Sequence, residues 1–141
     1  MKDNILKDQS FLFAIRIVEL NRYLQDSKKE WVLSKQILRS GTSIGAWVRE
    51  AEFAQSKADF ISKMSIALKE ANEMLYWLEL LHASKLIDDD RFSSYSENAK
   101  SIISILVKSI KTSKELWKGK NEKWINPKTA HFPYSSFIFH L

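Results

Sequence analysis

The sequence predicts an all-α domain, an antiparallel up-down-up-down four-helix bundle with a non-helical aromatic C-terminal tail. Three observations predict it. Turn formers are scarce: from Met1 to Lys118 there are only Gly41 and Gly45 and no proline, while Pro127 and Pro133 both lie near the end. Sheet-rich domains need turn residues at regular intervals, so this scarcity favours long helices. Apolar residues recur at spacings of three and four, the period of one helix face. The breaks between these stripes are only a few residues long, which favours antiparallel neighbours. At 141 residues, 45% hydrophobic and 28% charged, the chain has room for one well-filled core. The expected division is a bundle over residues 1–118 and a tail over 119–141.

The first helix is expected after Ser10, a good N-cap, and to about Gln25. Phe13, Ile17, Leu20 and Leu24 form its stripe, widened by Phe11, Ala14 and Val18. The second is expected from about Glu30 to Ala54, striped by Leu33, Ile37, Gly41, Ile44, Val48 and Ala51. Each internal glycine costs about 1 kcal/mol against alanine. The stripe nevertheless keeps its phase through Gly41-Thr-Ser-Ile-Gly45, so the segment reads as continuous helix, and the two glycines as a thin spot where a neighbour approaches closely. Ser56 caps the third helix, with Asp59 in its first turn to complement the macrodipole. Its apolar face runs through Phe60, Met64, Ala67, Leu68, Ala71, Leu75, Leu78 and Leu81 to about Ser84. Asp88, Asp89 and Asp90 open the fourth helix, from about Asp89 to Trp117, with Phe92, Tyr95, Ala99, Ile102, Leu106, Ile110 and Ser113 inward. The tail holds Trp124, Phe132, Tyr134, Phe137 and Phe139, apolar enough to predict docking on this chain or a neighbouring copy.

Chemistry for catalysis is missing from the pattern. No cysteine occurs, which excludes disulfides and thiolate metal sites and suits a reducing cytoplasm. His82, His131 and His140 have no companions at metal-ligand spacing, and no glycine-rich phosphate loop occurs. The reading is therefore non-enzymatic, without metal or cofactor. The charged N-terminus lacks a signal-peptide core, and no run approaches the roughly 18 apolar residues of a membrane span. A soluble cytoplasmic protein with no membrane partner is expected.

The net charge is +5, from 22 basic and 17 acidic residues, which permits attraction to nucleic acid. By segment the excess lies at the ends: +2 over residues 1–29, none over 30–113, and +3 over 114–141. The candidate phosphate contacts are Arg16, Arg22, Lys28, Lys29 and Lys35 toward the first connection, with Lys118, Lys120, Lys123 and Lys128 in the tail. Arg39, near the core stripe of the second helix, needs a carboxylate partner, for which Glu70 or Glu73 of the third helix is expected. Trp47 lies at the edge of the same stripe and, with Trp124 and Phe132, is a candidate subunit contact.

Leu38-Arg-Ser-Gly-Thr-Ser-Ile-Gly-Ala-Trp-Val-Arg-Glu-Ala51, Ala54-Gln-Ser-Lys-Ala-Asp-Phe60, Lys63-Met-Ser-Ile-Ala-Leu-Lys-Glu-Ala71 and Tyr76-Trp-Leu78 share one pattern. It resembles the four-helix-bundle proteins encoded in intervening sequences of bacterial 23S ribosomal RNA genes, also called the S23 ribosomal protein family. That family is similar to the accessory variability proteins of diversity-generating retroelements. The resemblance spans roughly residues 10–113. Trp47 departs from it, standing where the family often has asparagine, and the aromatic tail lies outside it. The resemblance implies a homopentameric ring, and its retroelement relatives bind nucleic acid and a reverse transcriptase through a basic surface. The expected function is a homo-oligomeric accessory protein binding RNA or DNA through basic surfaces. The alternative is a scaffold that docks a partner protein without nucleic acid.

Overall fold

A computed structural model describes residues 4–121, with side chains as far as Lys118. Four helices follow in order: α1 (Ile5–Lys28), α2 (Leu33–Ala51), α3 (Lys57–Ala83) and α4 (Asp89–Asn121), and no strand occurs among the described residues. Each helix packs extensively on its neighbour in sequence, and α4 returns beside α1 through a much smaller contact. Among the described residues no helix is long and apolar enough to cross a membrane.

The first helix starts earlier than its caps suggest. Asn4, not Ser10, is the N-cap, its side chain accepting from the Lys7 amide at 3.0 Å. Leu6 continues the inward stripe one turn upstream of Ser10, and Ser10 itself is buried, its hydroxyl donating to the Lys7 carbonyl. Phe11, expected to widen the core face, is instead half exposed with the Arg49 guanidinium 5.1 Å from its ring.

Glu30 starts α2 by a carboxylate cap: its two oxygens accept from the amides of Val32, Leu33 and Ser34 at 2.8–3.0 Å. The negative charge also suits the positive end of the helix dipole. The helix then runs unbroken through both glycines. A Cβ on Gly41 would stand 2.7 Å from Cγ1 and Cγ2 of Ile17, so α1 sits where a side chain would be. At Gly45 the nearest atoms, Oγ and backbone of Ser10, lie at 3.4–3.5 Å. Gly41 is therefore the residue that permits close approach, while Gly45 leaves room for a methyl.

Ser56 caps α3, accepting from the Asp59 amide, and Asp59 accepts from the Gln55 amide and Lys63. The core face of α3 is turned slightly from the expected one: Ile61 and Met74 are buried, while Phe60 and Leu75 are partly exposed. Asp88 caps α4 by accepting from the Arg91 amide at 2.8 Å. Tyr95, Ala99, Ile102, Leu106 and Ile110 line its inner face. The helix extends through residues 119–121, past the expected start of the tail at 119.

A lysine in the left-handed region closes each of α1 and α3: Lys29 at the C-cap of α1, and Lys85 just past the Ser84 C-cap of α3. The following amides, of Glu30 and Leu86, return to the carbonyls of Leu24 and Leu81 at 2.9 Å. These are C-caps of the kind glycine normally occupies.

Candidate functional site

Arg39 and its two glutamates meet in the groove between α2 and α3. The guanidinium donates to Glu73 Oε1 at 2.6 Å and to both oxygens of Glu70 at 3.2–3.3 Å. Trp77 Nε1 also donates to Glu73 at 3.2 Å. The hydrogen bond from Arg39 holds the Glu73 carboxyl below the ordinary carboxylate range. Burial pushes the Glu70 carboxyl up, against the attraction of Arg39. The Arg39 side chain is 48% exposed, so the trio sits at the rim of the core rather than in it. Such a pair fixes the relative position of two helices at a modest energetic return.

The expected cations divide into three groups. Arg16 is engaged at the partly exposed α1–α4 seam, donating to Asn98 Oδ1 at 2.8 Å and Ser94 Oγ at 2.6 Å, with its guanidinium 4.3 Å from the centre of the Tyr95 ring. Tyr95 donates its hydroxyl back to the Arg16 carbonyl. This cluster holds α1 to α4. Arg22, Lys28, Lys29 and Lys35 are exposed and lie at the end of the bundle where α1 passes into α2. Lys118 is exposed on the last turns of α4. The side chain of Lys120, together with Lys123, Lys128, Trp124 and Phe132, lies outside the described residues. Trp47, the remaining interface candidate, is partly buried and packs against the core.

Summing charge by segment missed a further group. Between Asn98 and Asn121 stand six lysines and a single acid, Glu115. Lys100, Lys108 and Lys111 are exposed on α4, the first and last of them in line with Lys118. A boundary drawn at residue 113 splits this run and adds its first half to the acids of α2 and α3. A count restricted to one helix finds it.

An open cleft of about 400 Å³ lies at the end of the bundle shared by the α1–α2 and α3–α4 connections, lined among others by Tyr23, Lys28, His82, Lys85 and Asp89. His82 Nε2 is 2.6 Å from Asp89 Oδ1, and its ring stacks flat on Phe92 at 4.3 Å. The Arg91 guanidinium covers Tyr23 at 3.9 Å. Two lysines and two aspartates line this cleft, giving it no single sign. No group of three metal-ligating side chains occurs among the described residues.

Fold and surface together define an all-α four-helix bundle with clusters of exposed cations at the α1–α2 end and along α4. The chain belongs to the 23S rRNA-intervening sequence protein family, whose model matches residues 2–108. It is also similar to the crystal structure of a protein of unknown function from the S23 ribosomal protein family of Bacteroides thetaiotaomicron. The two share 56% identity with a TM-score of 0.77, over 79% of this chain and 99% of the other. A comparison with curated proteins finds no match.

Proposed function

We propose that this protein is a non-enzymatic, cytoplasmic accessory protein that self-assembles, as a homopentamer, and binds nucleic acid through basic surfaces of the assembly. One observation carries the nucleic-acid reading: exposed cations gather at the α1–α2 end and along α4. Five copies of a +5 chain present about +25, and counterion release strengthens binding with each phosphate neutralised. The family's name refers to ribosomal RNA genes, and the resemblance to retroelement accessory proteins belongs to the same reading. The test is retention of structured RNA on a filter at increasing salt. Steeply falling affinity supports the reading, and a flat salt dependence contradicts it.

A second observation favours assembly, or docking of a partner protein in its place. Ile5, Phe11, Leu12 and Ile15 stand 43–60% exposed on the outward side of α1. Burying such residues against another surface is favourable by about 25 cal/mol per Å². Replacing Leu12 and Ile15 by glutamate should lower the mass measured in solution by light scattering. A protein that is monomeric before substitution excludes self-assembly and leaves this face to a partner.

A further inference from the structure

We propose that the outer face of α4, marked by Lys100, Lys111 and Lys118, is the surface that contacts nucleic acid, and that its ligand is the phosphate backbone of a duplex. The inference rests on the nucleic-acid reading above and selects one surface and one form of ligand within it.

The three lysines are eleven and seven residues apart, three and two turns of helix, so they project within roughly 20° of one another. They mark a straight line about 27 Å long on a rigid helix of 33 residues. Lys108 flanks the line on one side. Lys114 flanks it on the other, its amine held below the ordinary lysine range by burial first and by the Lys118 charge second. Two acids of α4 itself, Glu97 and Glu115, stand three or four residues from these lysines on the same side, so the face carries five lysines against two acids. The acids of α3 are engaged elsewhere. His82 stacked on Phe92 fixes the antiparallel register of α3 beside α4. At the level of Lys100 to Lys118, Glu70 and Glu73 of α3 are turned to Arg39, and Asp59 is bound to Lys63.

The cations at the other end have a structural explanation that the mid-helix lysines of α4 lack, and that Lys118, in the last turn of α4, shares. Lys28, Lys29 and Lys85 sit at the C-termini of α1 and α3, where positive charge offsets the helix dipole. Lys100, Lys108 and Lys111 occupy the middle of α4, where the dipole asks for nothing.

The form of the ligand follows from what accompanies the lysines. Binding of single strands relies on exposed aromatic rings on which bases stack. Phe92 is covered by His82, Tyr95 is buried, and Trp117 is partly buried, so the described part of α4 has no fully exposed ring. A straight row of cations suits a stiff duplex, which presents about one phosphate charge per 1.7 Å of axis. An anionic membrane is the poorer fit. The exposed apolar residues of α4, Val107 and Leu116, are nine residues apart and so project from opposite sides of the helix.

The experiment compares the full chain, the triple variant Lys100→Glu/Lys111→Glu/Lys118→Glu, and the control Arg22→Glu/Lys28→Glu/Lys35→Glu. Fluorescence anisotropy is read with 20-base-pair RNA duplex, the same duplex as DNA, single-stranded RNA, and phosphatidylserine-containing vesicles. The inference expects either duplex to bind at least tenfold more tightly than the single strand, and the α4 variant to lose at least tenfold while the control loses less. Lys→Gln at the same three positions, with an unchanged melting curve, should reproduce the loss if the glutamates perturb folding. Single strand binding as tightly as duplex, vesicles binding in preference, or loss confined to the control each overturns the inference while leaving charge-driven binding standing. No binding of any nucleic acid by the unaltered chain overturns the broader reading as well.

Discussion

The two helices that differ most in how they use their sequence are α2 and α4. Along α2, the polar and small residues face inward: Ser34, Ser40 and Gly41 are buried, and Gly41 brings α1 against the backbone. Along α4, the inner face is ordinary aliphatic packing and the distinctive residues face outward as lysines. The family model covers all of α2 but stops at residue 108, within α4. The close packing of α2 and the outward lysines of α4 thus lie on different helices. Substitutions in α2 should therefore register as stability, and substitutions on the outside of α4 as binding.

The largest stability effect should come from Gly41→Val. Its branched side chain would overlap Ile17, a stiff β-branched neighbour whose carbons lie only 2.7 Å from where a Cβ would stand. Overpacking of this kind costs about 3 kcal/mol, read as a lower denaturant midpoint. A loss below about 1 kcal/mol would mean that α1 moves aside easily.

Next comes Arg16→Ala, which removes two hydrogen bonds and a cation–π contact from the smaller α1–α4 seam. A loss of about 1–2 kcal/mol is expected, with nucleic-acid affinity little changed because this guanidinium is already engaged.

Arg39→Met should cost less than about 1 kcal/mol at pH 7, since the pair is half exposed. Its pH dependence is more telling than its size. The lowered Glu73 group stabilises the fold above its ordinary value near 4.5, and that contribution is lost as pH falls through its lower folded value. Glu70 is raised, so its contribution has the opposite sign: it is present at low pH and lost as pH rises through the raised value. Arg39 lowers both carboxyls, so its removal raises both. The difference in melting temperature between wild type and variant should therefore be small at pH 7 and shrink as acid protonates the two glutamates. A difference that grows on acidification would contradict the assignment.

Gly45→Ala should have the smallest effect and the opposite sign to Gly41→Val. The added methyl meets Ser10 at ordinary contact distance, and alanine recovers about 1 kcal/mol of helix propensity. A neutral to slightly higher melting temperature is expected. A clear loss would show that both glycines, and not Gly41 alone, set the spacing of α1 and α2.

The periodic features of this chain were legible before its structure. The stripe through Ile37, Gly41, Ile44 and Val48 keeps one phase, so α2 was readable as continuous despite its glycines, because helix period is a local property. What was not legible depends on partners far away in sequence. Ser10 has every local mark of an N-cap, yet it is buried against α2 because Gly45, thirty-five positions on, leaves space only for a small residue. Likewise, nothing local distinguishes Met74 from Leu75 as the deeper side chain. Arg39 could be matched to Glu70 and Glu73 by considering what a cation near a core face requires, but its half-exposed position at the rim could not. Among the cations, Arg16 and Lys118 look alike in a charge count. Only the α1–α4 seam separates an arginine held by Asn98, Ser94 and Tyr95 from a lysine open to solvent.

The central claim is that outward lysines of α4 neutralise phosphates, and the salt dependence of duplex RNA binding tests it most directly. The slope of log affinity against log salt should be clearly negative for the unaltered chain. Neutralising Lys100, Lys111 and Lys118 with glutamine should make it shallower by roughly one for each lysine. An unchanged slope in the folded variant would contradict the account.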